Sequence, residues 1–221
     1  MPAIEAVLFD FGHTLFDTPS SIDFLLERTR ARGMNTDPRV IAKTWLAVRK
    51  ESRTAAAMSK GRDLAPHIHH RCWLELFAPF EIMAPGLAEE LYAHETSAAG
   101  WVPYPDAPPL LARLTAANIP IAIVSDTGWD IRPVFAAHGL VDLIGIFVLS
   151  GEYGVTKPAP ELFEAACTVL GVEPEAALMV GDNHHTDGGA VEAGLQTLLL
   201  PLPPPGGLRG LDAVARLAGL G

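Results

Sequence analysis

The sequence predicts an α/β fold, a Rossmann-like parallel sheet flanked by helices, with an α-helical unit inserted near its start. Three observations predict it. After Gly100, short apolar runs of strand length alternate with helix-length segments, as in sheets built from βαβ units. A run of the same kind opens the chain at residues 3–9. Between the two, from about Ser20 to Ala99, only helical periodicity is found.

Each element has its own signal. Residues 3–9 are short, apolar and end on Asp10, the pattern of a fully buried strand. Ser20 or Ser21 can cap a helix that runs to about Arg32 and closes at Gly33. Asp37-Pro38 supplies a cap and a first-turn proline for a second helix reaching about Met58, with Gly61 as its breaker. A third helix is predicted over 63–77 and a fourth over 85–99. Beyond Gly100, a helix over 106–118 precedes a strand over 119–124 that ends at Ser125. A helix over 130–138 stops at Gly139, and a short strand follows over 146–149. A helix over 159–170 stops at Gly171, and a strand over 177–180 ends at Gly181-Asp182. A helix over 187–193 stops at Gly194, and the last strand covers 196–200. Residues 202–207 (LPPPGG) make a stiff loop across the sheet edge, and 208–220 a final short helix. There is no internal repeat.

With 221 residues, 49% of them hydrophobic, the chain can bury a sizeable core. Its net charge of −10, without a long Lys/Arg run, argues against a nucleic-acid surface. The same charge repels phosphorylated molecules at long range, so any phosphate site must be locally positive. Cys72 and Cys167 are too far apart in sequence for a metal-ligand spacing and are expected as buried thiols in a reducing compartment. No signal segment and no membrane-length apolar run is present, so a cytoplasmic location with no membrane partner is expected.

The polar residues that matter lie just past the carboxyl ends of apolar strands, where open α/β sheets bind ligands. They are Asp10, Ser125, Lys157 and the pair Asp182/Asp187. Singly, each reads as a turn, a cap or a surface charge. Together they suit phosphoryl transfer. A carboxylate can attack phosphorus, further carboxylates can hold Mg²⁺, and a hydroxyl, backbone N–H groups and a Lys can hold phosphate oxygens.

These residues sit in four segments: Val7-Leu8-Phe9-Asp10-Phe11-Gly12-His13-Thr14-Leu15, Ile121-Ala122-Ile123-Val124-Ser125-Asp126-Thr127, Lys157-Pro158-Ala159-Pro160-Glu161-Leu162-Phe163 and Val180-Gly181-Asp182-Asn183-His184-His185-Thr186-Asp187. In this order they resemble the four motifs of the haloacid dehalogenase-like (HAD) hydrolase superfamily, over essentially the whole chain. The resemblance implies a Rossmann-like core of residues 1–16 and 101–221, with 17–100 as an α-helical cap that closes over the site. It implies Asp10 as nucleophile and Mg²⁺ ligand, with Asp182 and the Gly12 carbonyl completing the metal site and Asp187 and Thr14 behind them. Ser125, Asp126 and Lys157 would hold the phosphoryl oxygens of a small phosphorylated metabolite.

One position departs from the family. Where most of its phosphatases carry an Asp that protonates the leaving group and then activates water, this chain has Gly12. General acid–base help is commonly worth about 10²–10⁴-fold. Four readings follow. The chain is a phosphatase with good leaving groups or a substitute acid/base, for which His13 and His184 are candidates. It is a dehalogenase, although those resemble a type with an aromatic residue at position 12 and no metal-binding Asp at 182. It is a phosphonate-cleaving enzyme, which would need a cap lysine such as Lys43, Lys50 or Lys60. Or it binds Mg²⁺ and phosphate without catalysis and acts through a partner.

In the inserted segment, His67, His70 and Arg71 share one helical face. That face either meets an anionic substrate or is solvated, with His69 beside it. Trp45, Trp73 and Phe77 are expected to pack the insertion's interior, and Trp129 to pack or to line the site entrance.

Overall fold

The computed structural model describes residues 2–204 and 206–221. Strand β1 (Ala6–Phe9) is buried throughout, starting later than the apolar run because its partners begin only at Ala177 and Ile121. A two-residue strand β2 (Phe16–Asp17) leads into the insertion. Helix α1 (Ser21–Ala31) starts without a side-chain cap bond from Ser20. Helix α2 (Pro38–Glu51) is capped as expected, Asp37 accepting from the Arg39 N–H at 2.8 Å.

The expected run of α2 to Met58 does not form. Ser52 Oγ donates to Arg49 O and Thr54 Oγ1 to Glu51 O, local bonds that compete with helix continuation. Thr54 then caps a separate turn, α3 (Ala55–Met58). The expected helix over 63–77 is also split. Ala65 precedes Pro66 and is extended at φ −163°, which ends a 3₁₀ turn at Leu64 and starts α4 (Pro66–Leu76). Helix α5 (Ala78–Met83) was not anticipated. Helix α6 (Leu87–Glu95) begins only after Gly86, and a 3₁₀ turn at Ala98–Gly100 closes the insertion.

Strand β3 (Val102–Pro103) pairs antiparallel with β2, so the two connections of the insertion are tied together. Two residues per strand carry no readable periodicity, and the pair is invisible in sequence. Helix α7 (Ala107–Ala116), strand β4 (Ile121–Ser125), helix α8 (Arg132–Ala137) and strand β5 (Ile146–Leu149) follow as expected, with shorter ends. A single turn, α9 (Ser150–Tyr153), precedes α10 (Pro160–Leu170) and strand β6 (Ala177–Gly181). The predicted helix over 187–193 is a 3₁₀ turn at Asp187–Val191, where Gly188-Gly189 disfavours an α-helix. Strand β7 (Gln196–Leu199) and helix α11 (Asp212–Leu217) complete the chain. Within the predicted 202–207 loop, Pro205 lies outside the described residues; the others described there form no helix or strand.

The five long strands form a parallel sheet in the order β5-β4-β1-β6-β7. Two apolar layers cover its faces. One holds Phe9, Phe16 and Phe135, the other Leu8, Phe163 and Met179. The insertion has a third cluster of its own, built on Leu25, Trp45, Phe77, Phe80 and Leu91. Trp45 and Phe77 are therefore interior, as predicted. Both cysteines are buried and unbridged. Among the described residues no helix is long and apolar enough to cross a membrane.

Candidate active site

The central strand β1 delivers Asp10 to the carboxyl edge of the sheet, and the Asp10 N–H donates to Val180 O at 2.9 Å. The chain then turns tightly. His13 N donates to Phe16 O at 2.6 Å, and His13 itself lies at φ +61°, uncommon for a residue with a side chain. Lys157 enters between α9 and α10. Its Nζ donates to Asp10 Oδ1 at 2.7 Å and to Asp187 Oδ1 at 2.6 Å, with the lysine side chain 2% exposed. The Lys157 backbone N–H donates to Asp126 Oδ1 at 2.8 Å.

Asp187 has a second task. Its Oδ2 accepts from the Asp182 and Asn183 N–H groups, each at 3.0 Å, and so shapes the loop that carries Asp182. This approach needs a bare residue at Gly181, where a Cβ would lie 2.2 Å from Asp187 Oδ2. Asp10, Asp182 and Asp187 each place an oxygen within 4.8 Å of the others. Ser125 and Asp126 follow on from β4 into the same cavity of about 830 Å³. Thr14, close to Gly12 in the chain, is fully buried, its Oγ1 without a hydrogen-bond partner among the described residues.

Burial pushes the Asp10 carboxyl up to about 7. Lys157 opposes that shift, and Asp187 and Asp182 add to it. Asp182 is raised for the same first reason, burial, and Asp126 is raised to about 6. For Lys157 burial works against the charge, but Asp10, Asp187 and Asp126 outweigh it and hold the ammonium protonated. One buried cation thus serves a crowded set of carboxylates. That donor chemistry fits a hard divalent cation, which prefers oxygen ligands.

The insertion supplies the opposite wall. The Arg49 guanidinium donates to His13 Nε2, and His13 Nδ1 lies 3.5 Å from Asp17 Oδ1. Both ring nitrogens of this candidate acid/base are therefore engaged. His184 lies on the cavity rim with its ring 3.8 Å from that of His185. His69 faces inward, and of the two readings of His67, His70 and Arg71 the solvated face is the one that holds. The His69 Nδ1 meets Tyr92 Oη at 2.9 Å, its Nε2 accepts from Trp73 Nε1 at 3.0 Å, and burial pushes the ring down to about 4. His67 and Arg71 are exposed, and His70 pairs with Glu89 at the surface. Trp73 packs against the insertion's core beside Phe77, as expected, and also lines the cavity, and Trp129 both packs on Phe11 and lines the cavity.

Half-buried Glu95 accepts from Ser21 Oγ at 2.7 Å, yet burial pushes it from its ordinary 4.5 to about 7. The folded state therefore favours the protonated acid, and its stability falls as pH rises from 4.5 towards 7. Glu95→Gln keeps the acceptor without the charge. It is expected to stabilise the protein by about 2 kcal/mol above pH 7 and to change little near pH 4.5, read by thermal unfolding at both pH values.

Residues 4–194 match the family model described as haloacid dehalogenase-like hydrolase. The chain belongs to that family. A glyceraldehyde 3-phosphate phosphatase from Methanopyrus kandleri is 34% identical over 200 residues, covering 88% of this chain and 83% of that protein. A phosphoserine phosphatase from Thermus thermophilus is 36% identical over 85 residues, 38% of this chain and 34% of that protein. The solved structure of an L-2-haloacid dehalogenase from Xanthobacter autotrophicus matches at 26% identity and a TM-score of 0.66, covering 96% of this chain and 81% of that one. The haloacid dehalogenase-like fold thus frames the site, and this member adds residues that sequence reasoning missed.

Arg209 is one of these. Only 2% exposed, it donates through Nε to His13 O at 2.6 Å, through a terminal nitrogen to Leu200 O at 2.8 Å, and to Pro201 O. Ser150 Oγ is another, accepting from Thr127 N at 2.9 Å and donating to Asp63 O at 2.6 Å, a direct link between sheet edge and insertion. Arg49 and Trp101 complete the set. Each is a lone residue with no motif around it, and the only signal was position, Trp101 lying at the end of the insertion.

Proposed function

We propose that this chain is a Mg²⁺-dependent phosphatase that hydrolyses small phosphate monoesters through an aspartyl-phosphate at Asp10. The observation that carries the reading is the buried Asp10–Lys157 contact at 2.7 Å, with Asp182 and Asp187 beside it. Relatives named as phosphatases support it. An Asp10 oxygen would attack phosphorus while the ester P–O bond breaks and its electron pair leaves with the alcohol oxygen. Water would then attack the same phosphorus, releasing phosphate and restoring the carboxylate. Lys157, the Ser125 hydroxyl and the Asp126 N–H would hold the phosphoryl oxygens through both steps.

Asp10, Asp182 and the Gly12 carbonyl would hold Mg²⁺, with Asp187 and Thr14 behind them. When bound, the ion supplies positive charge that keeps Asp10 ionised and offsets the charge of the phosphoryl group. Residues 17–100 are read as a cap that selects substrates over a core of 1–16 and 101–221, and the reducing cytoplasm as the setting for its two thiols. Lys43 and Lys50 are exposed and Lys60 pairs with Glu75 at the surface, which weighs against a cap lysine for phosphonate cleavage. Asp182 weighs against the metal-free dehalogenase reading.

The test is hydrolysis of p-nitrophenyl phosphate by the purified protein with Mg²⁺; no turnover overturns the reading. Gly12 favours one alternative, a binding protein on the same scaffold, which would bind Mg²⁺ and phosphate without turnover. Metal binding has its own readout. Mg²⁺ at about 100 times its dissociation constant is expected to add about 2.7 kcal/mol to unfolding, and Asp182→Asn to remove most of that gain. Calorimetry that finds equal melting temperatures with and without Mg²⁺ would reject the metal site.

A further inference from the structure

The cavity that holds Asp10 and Gly12 is lined on one side with aromatic rings. A Cβ on Gly12 would lie 3.4 Å from both Cη2 and Cζ3 of Trp101, so the indole covers the face on which a side chain at 12 would stand. That indole is held in place. Its Nε1 donates to Glu95 O at 2.7 Å, and its ring lies 4.4 Å from Phe11 and 6.4 Å from Trp129. Phe11, Trp101, Trp129 and Trp73 all line the cavity that holds Asp10.

Several titratable groups on the walls of that cavity are already engaged, while His184 and His185 sit exposed on its rim. His13 is held by Arg49 and Asp17, and His69 by Tyr92 and Trp73. Glu95 is bonded to Ser21 and Asp63 to Arg62. Asp126 accepts from the Lys157 backbone. Apart from the Lys157 ammonium that Asp10 itself accepts from, the wall formed by Phe11, Trp101 and Trp129 offers flat apolar surface where a side chain at 12 would have supplied a proton donor.

We propose that this site selects aryl phosphates, whose leaving group departs as an aryloxide without taking a proton and whose ring packs against Trp101 and Trp129. The proposal rests on the phosphatase reading. When an Asp10 oxygen bonds to phosphorus, the P–O bond to the aryl oxygen breaks and the electron pair stays on that oxygen. A phenol has a pKa of about 10, so the free aryloxide is a tolerable product. An alkyl oxygen, closer to water at about 15.7, needs a proton at that moment. Aromatic contacts add binding for a flat ring.

The leaving-group step is read by kcat/KM and the later attack of water by kcat, so the test compares kcat/KM for p-nitrophenyl phosphate, phenyl phosphate and glycerol 1-phosphate with Mg²⁺ present. Both aryl esters are expected to exceed the alkyl ester by about 10³-fold or more. Trp101→Ala is expected to lower kcat/KM for the aryl esters by about 3–10-fold more than for glycerol 1-phosphate. Gly12→Asp is expected to narrow the aryl–alkyl gap by at least about 10²-fold; should that variant not fold, the wild-type ratio still decides. An alkyl ester within about tenfold of phenyl phosphate overturns the proposal and leaves the phosphatase reading standing. Alkyl turnover that His184→Ala abolishes overturns it too, by revealing a proton donor on the rim. No turnover of any ester removes both readings together.

Discussion

Asp10→Asn is expected to abolish ester hydrolysis, with a loss of at least about 10⁴-fold, while the folded protein survives. A carboxamide keeps the shape of the side chain and can still accept from Lys157, but it is a very poor nucleophile. Removal of an enzyme's nucleophile commonly costs about 10⁶-fold in kcat. The fold should tolerate the change because Lys157 keeps its contact with Asp187 at 2.6 Å. It also loses a carboxylate that burial already drives towards its neutral form. Equal far-ultraviolet circular dichroism and a melting temperature within a few degrees would separate lost chemistry from lost structure. Residual turnover above about one part in 10³ would reject Asp10 as the nucleophile.

Lys157→Met should damage stability as well as activity. It removes the one cation that Asp10 and Asp187 share at 2.7 and 2.6 Å, and leaves two largely buried carboxylates without it. Breaking a buried pair on one side typically costs about 3–5 kcal/mol, a large part of the 5–15 kcal/mol of a typical domain. The sign of its pH dependence follows from Asp10. Lys157 lowers the Asp10 pKa, so its removal sends that value above the present figure of about 7. The folded variant then binds protons more readily than its unfolded chain, and its stability falls as pH rises from the ordinary carboxylate range upward. Urea unfolding should show a larger deficit near pH 8 than near pH 5. An equal deficit at both would mean that lost packing, not unpaired charge, is responsible. Asp10→Asn combined with Lys157→Met should recover part of the loss, since one of the stranded charges is then gone.

How much of this was legible follows from what each residue contrasts with. Asp10, Ser125 and Asp182 interrupt or end apolar runs, so their placement at strand ends needed only the strands. Lys157 and Asp187 were legible by resemblance, and the structure brings both to Asp10. The helix boundaries in the insertion were less legible because single residues decide them. Ala65 before Pro66 breaks one expected helix, and Ser52 with Thr54 ends another. The inward-facing His69 was hidden by a neighbouring set, His67, His70 and Arg71, whose spacing looked more purposeful. Trp101 and Arg209 were hidden for another reason. Their meaning lies in contacts with Gly12 and His13 across long stretches of chain, and periodicity has no reach over such distances.

The Arg209–His13 contact has a consequence for how the molecule is made. The loop after Asp10 is made well before the arginine that holds it, which lies 196 positions further along the chain. Strand β1, which carries Asp10, waits as well, since its two neighbours β4 and β6 are both synthesised long after it. Asp10 is thus made well before the lysine, the sheet and the clasp that fix its position. Contacts so distant in sequence form late and slowly. The Asp10 loop is therefore fixed only after the later strands and the Arg209 segment have been made, so the arrangement of the site arrives together with the closing of the fold rather than ahead of it.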